Sequence, residues 1–506
     1  MFKARVIDIE QGSYEVLLNV DDAGELGVHA LDHVRVYCEK GSLTAVANIT
    51  STLLSRGEVG VFTETARSLG LKDGDLVNLV PSEKPQSIAY IRKKMSGQKL
   101  SGEEIRVIIR DIVENNLSDI ELSAYVSAVE MRGMDMDEVT DMVKAMVETG
   151  ETIVFDKSPI VDVHSIGGVP GNKYALITVP IVAANGVTIP KTSSRAITSP
   201  SGIADTMEVL APVSLTAQKI KFIAESTGGT LAWGGSVNLA PADDKIIRAE
   251  YPLSLDPRPQ VLASVMSKKK AAGVELLLID IPMGKGAKVE TEDEARSLAQ
   301  DFIELGRRVG IRVECAITYG SQPLGRAVGP ALEAREALMA LEGKYAPRSL
   351  VEKSCVLAGI LLEMAGVADR GKGRELAEET LKSGKALSKL KEIIAAQGGN
   401  PDVTSDDIRV GKYTYDFTAP EGGYVQMVNN AAVIQICRTA GAPRDKGAGM
   451  VVWQKMGSQV KKGDRLFTIY ADSMVKLERA KALAQKLTPI PIGGMLLKRV
   501  PDYRVA

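Results

Sequence analysis

The side chains of this chain that are able to carry chemistry gather in a few short stretches rich in glycine and hydroxyls. Histidine occurs only as His29, His33 and His164, and cysteine only as Cys38, Cys315, Cys355 and Cys437. No HExxH, CxxC or mixed Cys/His spacing links them. A protein-held transition metal and a disulfide framework are therefore not expected, and buried reduced thiols are the plainer reading. The stretch DVHSIGGVPGNK (162–173) packs Gly167, Gly168 and Gly171 into five positions beside His164, Ser165 and Lys173. Glycines so spaced let backbone N–H groups approach an anion closely. It is no Walker A loop, because the second glycine and the hydroxyl after the lysine are missing, and no GxGxxG fingerprint occurs elsewhere. What remains is a strand, a glycine-rich turn and a helix start suited to an anion. A tight structural turn accounts for the same residues.

Three further stretches share that character. KTSSRAITSPSGIADTMEVL (191–210) carries Ser193, Ser194, Arg195, Thr198, Ser199 and Ser201 between a strand and an apolar helix. Hydroxyls with one guanidinium at such a junction suit a phosphorylated ligand; a polar loop with an N-capping serine is the alternative. LSLDPRPQVLASVMSKKKAAG (253–273) places Ser264 and Lys268 four apart on one helical face, with Asp256 ahead of a proline at its head. A solvated lysine cluster at a helix end is the ordinary reading there. GKGAKVE (284–290) is another glycine-rich turn after a strand, with Lys285 and Lys288. Four such loops, each after a strand-like run, are what a site at one edge of an α/β sheet requires.

The elements that must hold these loops are legible from periodicity. AGELGVHALDHVRVY (23–37) and ARSLGLKDGDLVNLV (66–80) form a weak internal repeat of helix, LG, turn and alternating strand. This predicts a small pseudo-symmetric β-barrel over 1–84, similar to the double-psi barrels at the N-termini of some AAA ATPases. Helical periodicity follows a Pro-bounded linker at 81–87, with Ile105, Ile108, Ile109, Ile112 and Val113 on one face and a Ser118/Glu121 capping box. Residues 85–160 thus read as a helical domain without chemistry of its own. Strands and helices alternate over 161–400, where VELLLIDIP (274–282) is a continuous apolar strand of a mostly parallel, or mixed, sheet. This predicts a central α/β domain for binding phosphate and nucleotide, some of its helices packing on the helical domain. Residues 401–506 are strand-rich and turn-punctuated, an expected C-terminal α+β domain.

Bulk composition excludes other classes. The chain has 506 residues, a net charge of −2 and 4% aromatics, so it offers neither a basic field nor stacking platforms for nucleic acid. No apolar run reaches membrane-spanning length and the N-terminus is unlike a signal peptide, so no membrane partner and a cytoplasmic location are expected.

The ordered set DVHSIGG, SSR…D…E, ASVMSKK and GKGAK resembles the thymidine and pyrimidine-nucleoside phosphorylase family over about 88–500. With the N-terminal barrel, HSIGGVPGNK and IPKTSSRAITS, it is similar to the archaeal AMP phosphorylase branch across essentially the whole chain. That resemblance implies phosphorolysis of a nucleoside 5′-monophosphate, AMP foremost and CMP or UMP besides, to the free base and ribose 1,5-bisphosphate. It implies nucleotide-binding positions at Gly168, Ser194, Arg195, Ala196, Ile197, Thr198, Ser199, Ile203, Ser264 and Lys288, and a proton donor at Asp256. His164, Ser165 and Ser193 match phosphate-site positions, and Arg248 and Lys268 match positions that contact the base. No cofactor or metal is implied, inorganic phosphate being a co-substrate, and a homodimer or a larger homo-oligomer through the N-terminal domain is. Val163 and Ala175 depart from the lysine and serine of nucleoside-specific members, implying a rebuilt phosphate site. Ile203 replaces the usual threonine of the branch and cannot donate a side-chain hydrogen bond, a loss worth about 1 kcal/mol. The alternatives are a thymidine-type nucleoside phosphorylase and an enzyme like anthranilate phosphoribosyltransferase. The latter is disfavoured because Val169-Pro170, not an acidic residue, follows Gly167-Gly168. A further alternative from another class is a non-catalytic adaptor that binds protein partners through the N-terminal barrel.

Overall fold

The computed structural model describes residues 1–196 and 199–494. They form two compact units, Met1–Gly150 with Ala240–Ser267, and Glu151–Leu239 with Lys268 onward.

The first unit opens with a closed six-stranded barrel in the order Phe2–Ile7, Glu58–Phe62, Glu15–Asn19, Gly41–Thr50, His33–Cys38, Leu76–Pro81. The sequence repeat is visible in its hydrogen bonds. Helices Val20–Leu26 and Thr63–Leu69 each end on a left-handed glycine, Gly27 and Gly70, which is the glycine of the LG pair. The turns that follow are closed alike, the His29 amide donating to Asp32 at 2.8 Å and the Lys72 amide to Asp75 at 2.9 Å. Alternating valines and leucines (Val34, Val36, Val77 and Leu79) fill the barrel.

Four helices follow: Ser87–Met95, Gly102–Val113, Asp119–Arg132 and Met136–Glu148. The last three begin with capping boxes, Ser101/Glu104, Ser118/Glu121 and Asp135/Glu138. Ile105, Ile108, Ile109 and Ile112 are buried, each contributing about 1.5–3 kcal/mol. Helix Pro241–Leu253 packs on this bundle. Its Lys245 ammonium donates to the carbonyls of Ile112 and Val113, at 3.0 and 2.6 Å, and to Asn115, stopping helix Gly102–Val113 from outside. The methionine-bearing stripe of Val139, Met142, Val143 and Met146 is core.

In the second unit, Arg312–Tyr319, Leu276–Met283 and Val161–Ser165 form a parallel sheet in that order. Ile189–Ser193 and Gly229–Trp233 form a parallel pair, joined to it by a bridge between Ile160 and Thr188. Helix Ala175–Ala184 is buried on all sides, while Glu292–Val309 starts at the Thr291/Glu294 capping box and buries one face. The C-terminal portion is α+β. Its antiparallel sheet runs Ala327–Val328, Gly449–Val452, Arg465–Ala471, Tyr413–Thr418, with helices Asn430–Ala440 and Met474–Leu487 against it. Among the described residues all four cysteines are unpaired, with Cys355 and Cys437 buried, and no helix is long and apolar enough to cross a membrane.

Candidate active site

Three of the loops singled out above leave the C-terminal ends of parallel strands in the second unit. Strand Val161–Ser165 runs into the glycine-rich turn because Gly167, Gly168 and Gly171 all take positive φ, 84°, 86° and 75°. The turn is closed by Ser165, whose hydroxyl accepts from Asn172 Nδ2 at 2.9 Å. Lys173 does not reach toward a ligand. Its side chain is 0% exposed, its ammonium donates to the carbonyls of Gly171, Leu324 and Ala327, and it pairs with Glu336 at 2.8 Å. It anchors the far end of the turn to the segment entering the C-terminal sheet.

Gly168 and Lys288 meet directly. A Cβ at Gly168 would stand 2.7 Å from the Lys288 backbone nitrogen, so the two loops touch only because position 168 has no side chain. The Lys288 turn is held by the Gly284 amide on Val289 O at 3.0 Å and the Gly286 amide on Glu290 at 3.0 Å. Asn430, from helix Asn430–Ala440, donates to Gly320 O at 2.9 Å just beneath. Lys288 itself is exposed.

The hydroxyl-rich loop follows strand Ile189–Ser193. Asp205 pins it, accepting from the Ala196 amide at 2.7 Å and the Gly202 amide at 3.0 Å. The Arg195 guanidinium forks onto Glu208 at 2.7 and 2.5 Å, approaches Asp205 at 3.3 Å and lies 4.8 Å over the Trp233 ring. Its hydrogen bonds pull the Glu208 carboxyl down to about 2. Lys446 adds a second cation to Glu208 at 2.7 Å. Ser194 is exposed, and the Ser193 hydroxyl is enclosed with no hydrogen-bond partner among the described residues. Ser199 Oγ donates to Ser201 O at 3.2 Å. Ile203, half-buried, packs against the large core cluster. Ile197 and Thr198 lie outside the described residues.

His164, next to last in strand Val161–Ser165, lies among cations. Burial and the fields of Lys269, Lys191, Lys268 and Lys288 hold its pKa well below the ordinary value, so the imidazole is neutral at pH 7. Below it Asp162, fully buried, accepts from Lys269 Nζ at 2.6 Å, with Lys191 Nζ at 3.8 Å. The middle lysine of the KKK run is thus 2% exposed rather than solvated.

Arg248, Asp256 and Ser264 belong to the first unit. Arg248 is exposed and paired with Asp119 at 2.9 Å. Asp256 is exposed on the connection between helices Pro241–Leu253 and Arg258–Ala271. Ser264 is half-buried on the latter helix, which also carries Lys268. Asp205, Glu208, Lys446 and the buried Asp162–Lys191–Lys269 group were not singled out as site residues. The signal for the last was a carboxylate inside an apolar strand, which demands a buried cation.

Family models match the chain in three stretches: a glycosyl transferase family helical bundle domain at 88–150, that family's α/β domain at 157–387, and a pyrimidine nucleoside phosphorylase C-terminal domain at 424–491. A curated relative from Methanosarcina mazei, named AMP phosphorylase, is 53% identical over 98% of this chain and 97% of its own. Another from Thermococcus kodakarensis, with the same name, is 53% identical over 98% of this chain and 99% of its own. The chain belongs to the AMP phosphorylase family. The matched models run in the order of the helical bundle, the α/β part and the C-terminal part described above. A solved anthranilate phosphoribosyltransferase from Thermus thermophilus superposes with a TM-score of 0.52 at 21% identity, covering 61% of this chain and 98% of that one. That likeness is one of fold.

Proposed function

We propose that this enzyme cleaves the N-glycosidic bond of AMP with inorganic phosphate, releasing adenine and α-D-ribose 1,5-bisphosphate, with CMP and UMP as further substrates. A phosphate oxygen forms the new bond to C1′ as the C1′–N bond breaks. The bonding pair leaves with the base, which takes up a proton. The observation that carries this reading is the cationic, glycine-walled strand end where Gly168 closes on Lys288 beside a neutral His164. Phosphate is already anionic at neutral pH and needs placement more than activation, which such a cradle supplies without a metal. Asp256 is the proposed proton donor to the leaving base. General acids of this kind contribute about 10²–10⁴-fold, but a carboxylic acid must be desolvated to hold its proton. Asp256 is exposed, so the bound base itself must supply the cover. Lys288 is the proposed contact to the 5′-phosphate, because the Arg195 guanidinium is engaged by Glu208.

The test is chromatographic. AMP is incubated with the protein and a chelator, with and without phosphate. Free adenine that appears only with phosphate, together with a sugar bisphosphate, is the expected result. Adenine formed without phosphate, or ribose 5-phosphate as the sugar product, would overturn the reading.

A further inference from the structure

The buried charges beneath the glycine-rich turn do not balance. Asp280 is matched by Lys353 at 2.7 Å, but Asp162 is in contact with two ammonium groups, Lys269 at 2.6 Å and Lys191 at 3.8 Å, and its Oδ1 also accepts from the Val163 amide at 2.7 Å. Lys269 is well satisfied, donating further to Thr192 O at 2.9 Å and Thr192 Oγ1 at 3.2 Å. Lys191 is not. It is 1% exposed, yet its ammonium makes one hydrogen bond among the described residues, to Thr192 O at 2.6 Å. A buried ammonium with donors left over and a second cation beside it is costly to the fold. Such a group is retained where something else completes it.

The direction in which it is incomplete is also visible. Strand Ile189–Ser193 sets Lys191 and Ser193 on one face, two residues apart. Ser193 is the step nearer the loop, and its enclosed hydroxyl has no partner among the described residues. The neighbouring strand Val161–Ser165 carries His164 one residue before its end, neutral and in the field of Lys269, Lys191, Lys268 and Lys288. Asp162 thus faces both Lys191 and Lys269 near the end of two adjacent parallel strands.

We propose that Lys191 is a positioning residue for the phosphate co-substrate: it supplies a buried surplus positive charge under the glycine-rich turn that the bound phosphate neutralises. This rests on the reading that inorganic phosphate is the attacking group. Burial, with Lys269 beside it, draws the Lys191 pKa down to about 7 despite Asp162. The facing charged groups are Asp162 and His164 on the adjoining strand and Lys269 on helix Arg258–Ala271. Strand Gly229–Trp233 and helix Ala175–Ala184, which also pack there, carry none. On helix Ala217–Thr227, Lys221 and Glu225 pair with each other and Lys221 with Asp156, while Lys219 is exposed. Phosphate is therefore drawn by the protonated form and holds the proton on, so Lys191 helps most below about pH 7 and progressively less above it.

Lys191→Met is close to isosteric and removes only the charge, leaving Asp162 on Lys269. At pH 6.5 it is expected to raise the KM for phosphate tenfold or more, with the KM for AMP within twofold and kcat within threefold. Its deficit against the wild type should shrink by pH 9, a comparison in which phosphate's own titration cancels. Lys191→Arg should keep the phosphate KM low and hold it low through pH 9. Melting should be unchanged or raised in Lys191→Met, whereas a merely structural lysine would lower it. A wild-type phosphate KM in Lys191→Met, or equal rises in both KM values, would overturn the proposal. If the wild type releases no adenine, the functional reading fails by itself, and inorganic phosphate alone then decides this one. A phosphate-induced rise in melting temperature present in the wild type and lost in Lys191→Met supports it; an equal rise, or none in either protein, rejects it.

Discussion

At the scale of single residues, Asp256, the proposed proton donor, and Lys288, the proposed 5′-phosphate contact, are where the functional reading is most exposed to test. Asp256→Asn keeps size and polarity but has no proton to give. Turnover on AMP is expected to fall by about 10²–10⁴-fold with AMP affinity nearly unchanged, read by steady-state kinetics and equilibrium dialysis. A near-normal rate would leave Asp-Pro as a turn and nothing more. Lys288→Ala removes the exposed cation of the loop that closes on Gly168. It should raise the KM for AMP tenfold or more, from a charge-assisted contact worth about 1.5–3 kcal/mol, and leave any residual activity on adenosine nearly untouched. Equal losses on both substrates would remove the 5′-phosphate assignment. Residue types at these positions are readable in the sequence because a proline, a glycine and a lysine in order are local facts. Their engagement is not local. Arg195 looks available in SSRAITS, yet Glu208, Asp205 and Trp233 already hold it.

At the scale of elements, the loop after strand Ile189–Ser193 is shaped by one carboxylate. Asp205 receives two loop amides and the Arg195 guanidinium while itself buried. Asp205→Ala should cost about 1–3 kcal/mol for each buried group it strands. The expected outcome is a lower melting temperature together with a rise in the KM for AMP of tenfold or more. An unchanged AMP KM in a folded variant would detach this loop from nucleotide binding. Capping boxes, the LG turns and the apolar strand 274–282 were legible beforehand, since each depends on residues within a turn or two of one another. The strand Ala327–Val328 was not. Two residues make no periodic signal, and it exists because Val451 and Met450 offer it a pairing edge more than a hundred positions away.

At the scale of the whole molecule, the distribution of buried lysines sets a pH dependence. Burial draws Lys191 and Lys455 down to about 7 and Lys245 down to about 8, against an unfolded value of about 10.4. Between those limits the unfolded chain binds more protons than the folded one, so stability rises with pH. From about pH 8.5 the thiols of Cys315, Cys355 and Cys437, and at higher pH Tyr125 and Tyr174, all raised by burial, oppose the trend. Scanning calorimetry is expected to give a melting temperature higher at pH 9 than at pH 7, by about 2–4 °C per kcal/mol gained for a chain of this size. A flat or falling curve would mean that these ammonium groups stay charged in the fold.

The sequence by itself determined the fold class, the family and the order of the glycine- and hydroxyl-rich loops, because strand alternation, helical stripes, caps and glycine turns are properties of neighbouring residues. The tertiary structure alone decided which charges face a ligand and which are spent inside. Lys173 looks like a binding lysine in the sequence and Lys269 like part of a solvated cluster, and both turn out buried, against Glu336 and Asp162. Lys446 meets Glu208 across more than two hundred positions. Desolvation and pairing depend on what the folded chain brings within a few ångströms, and distance along the chain carries no record of that.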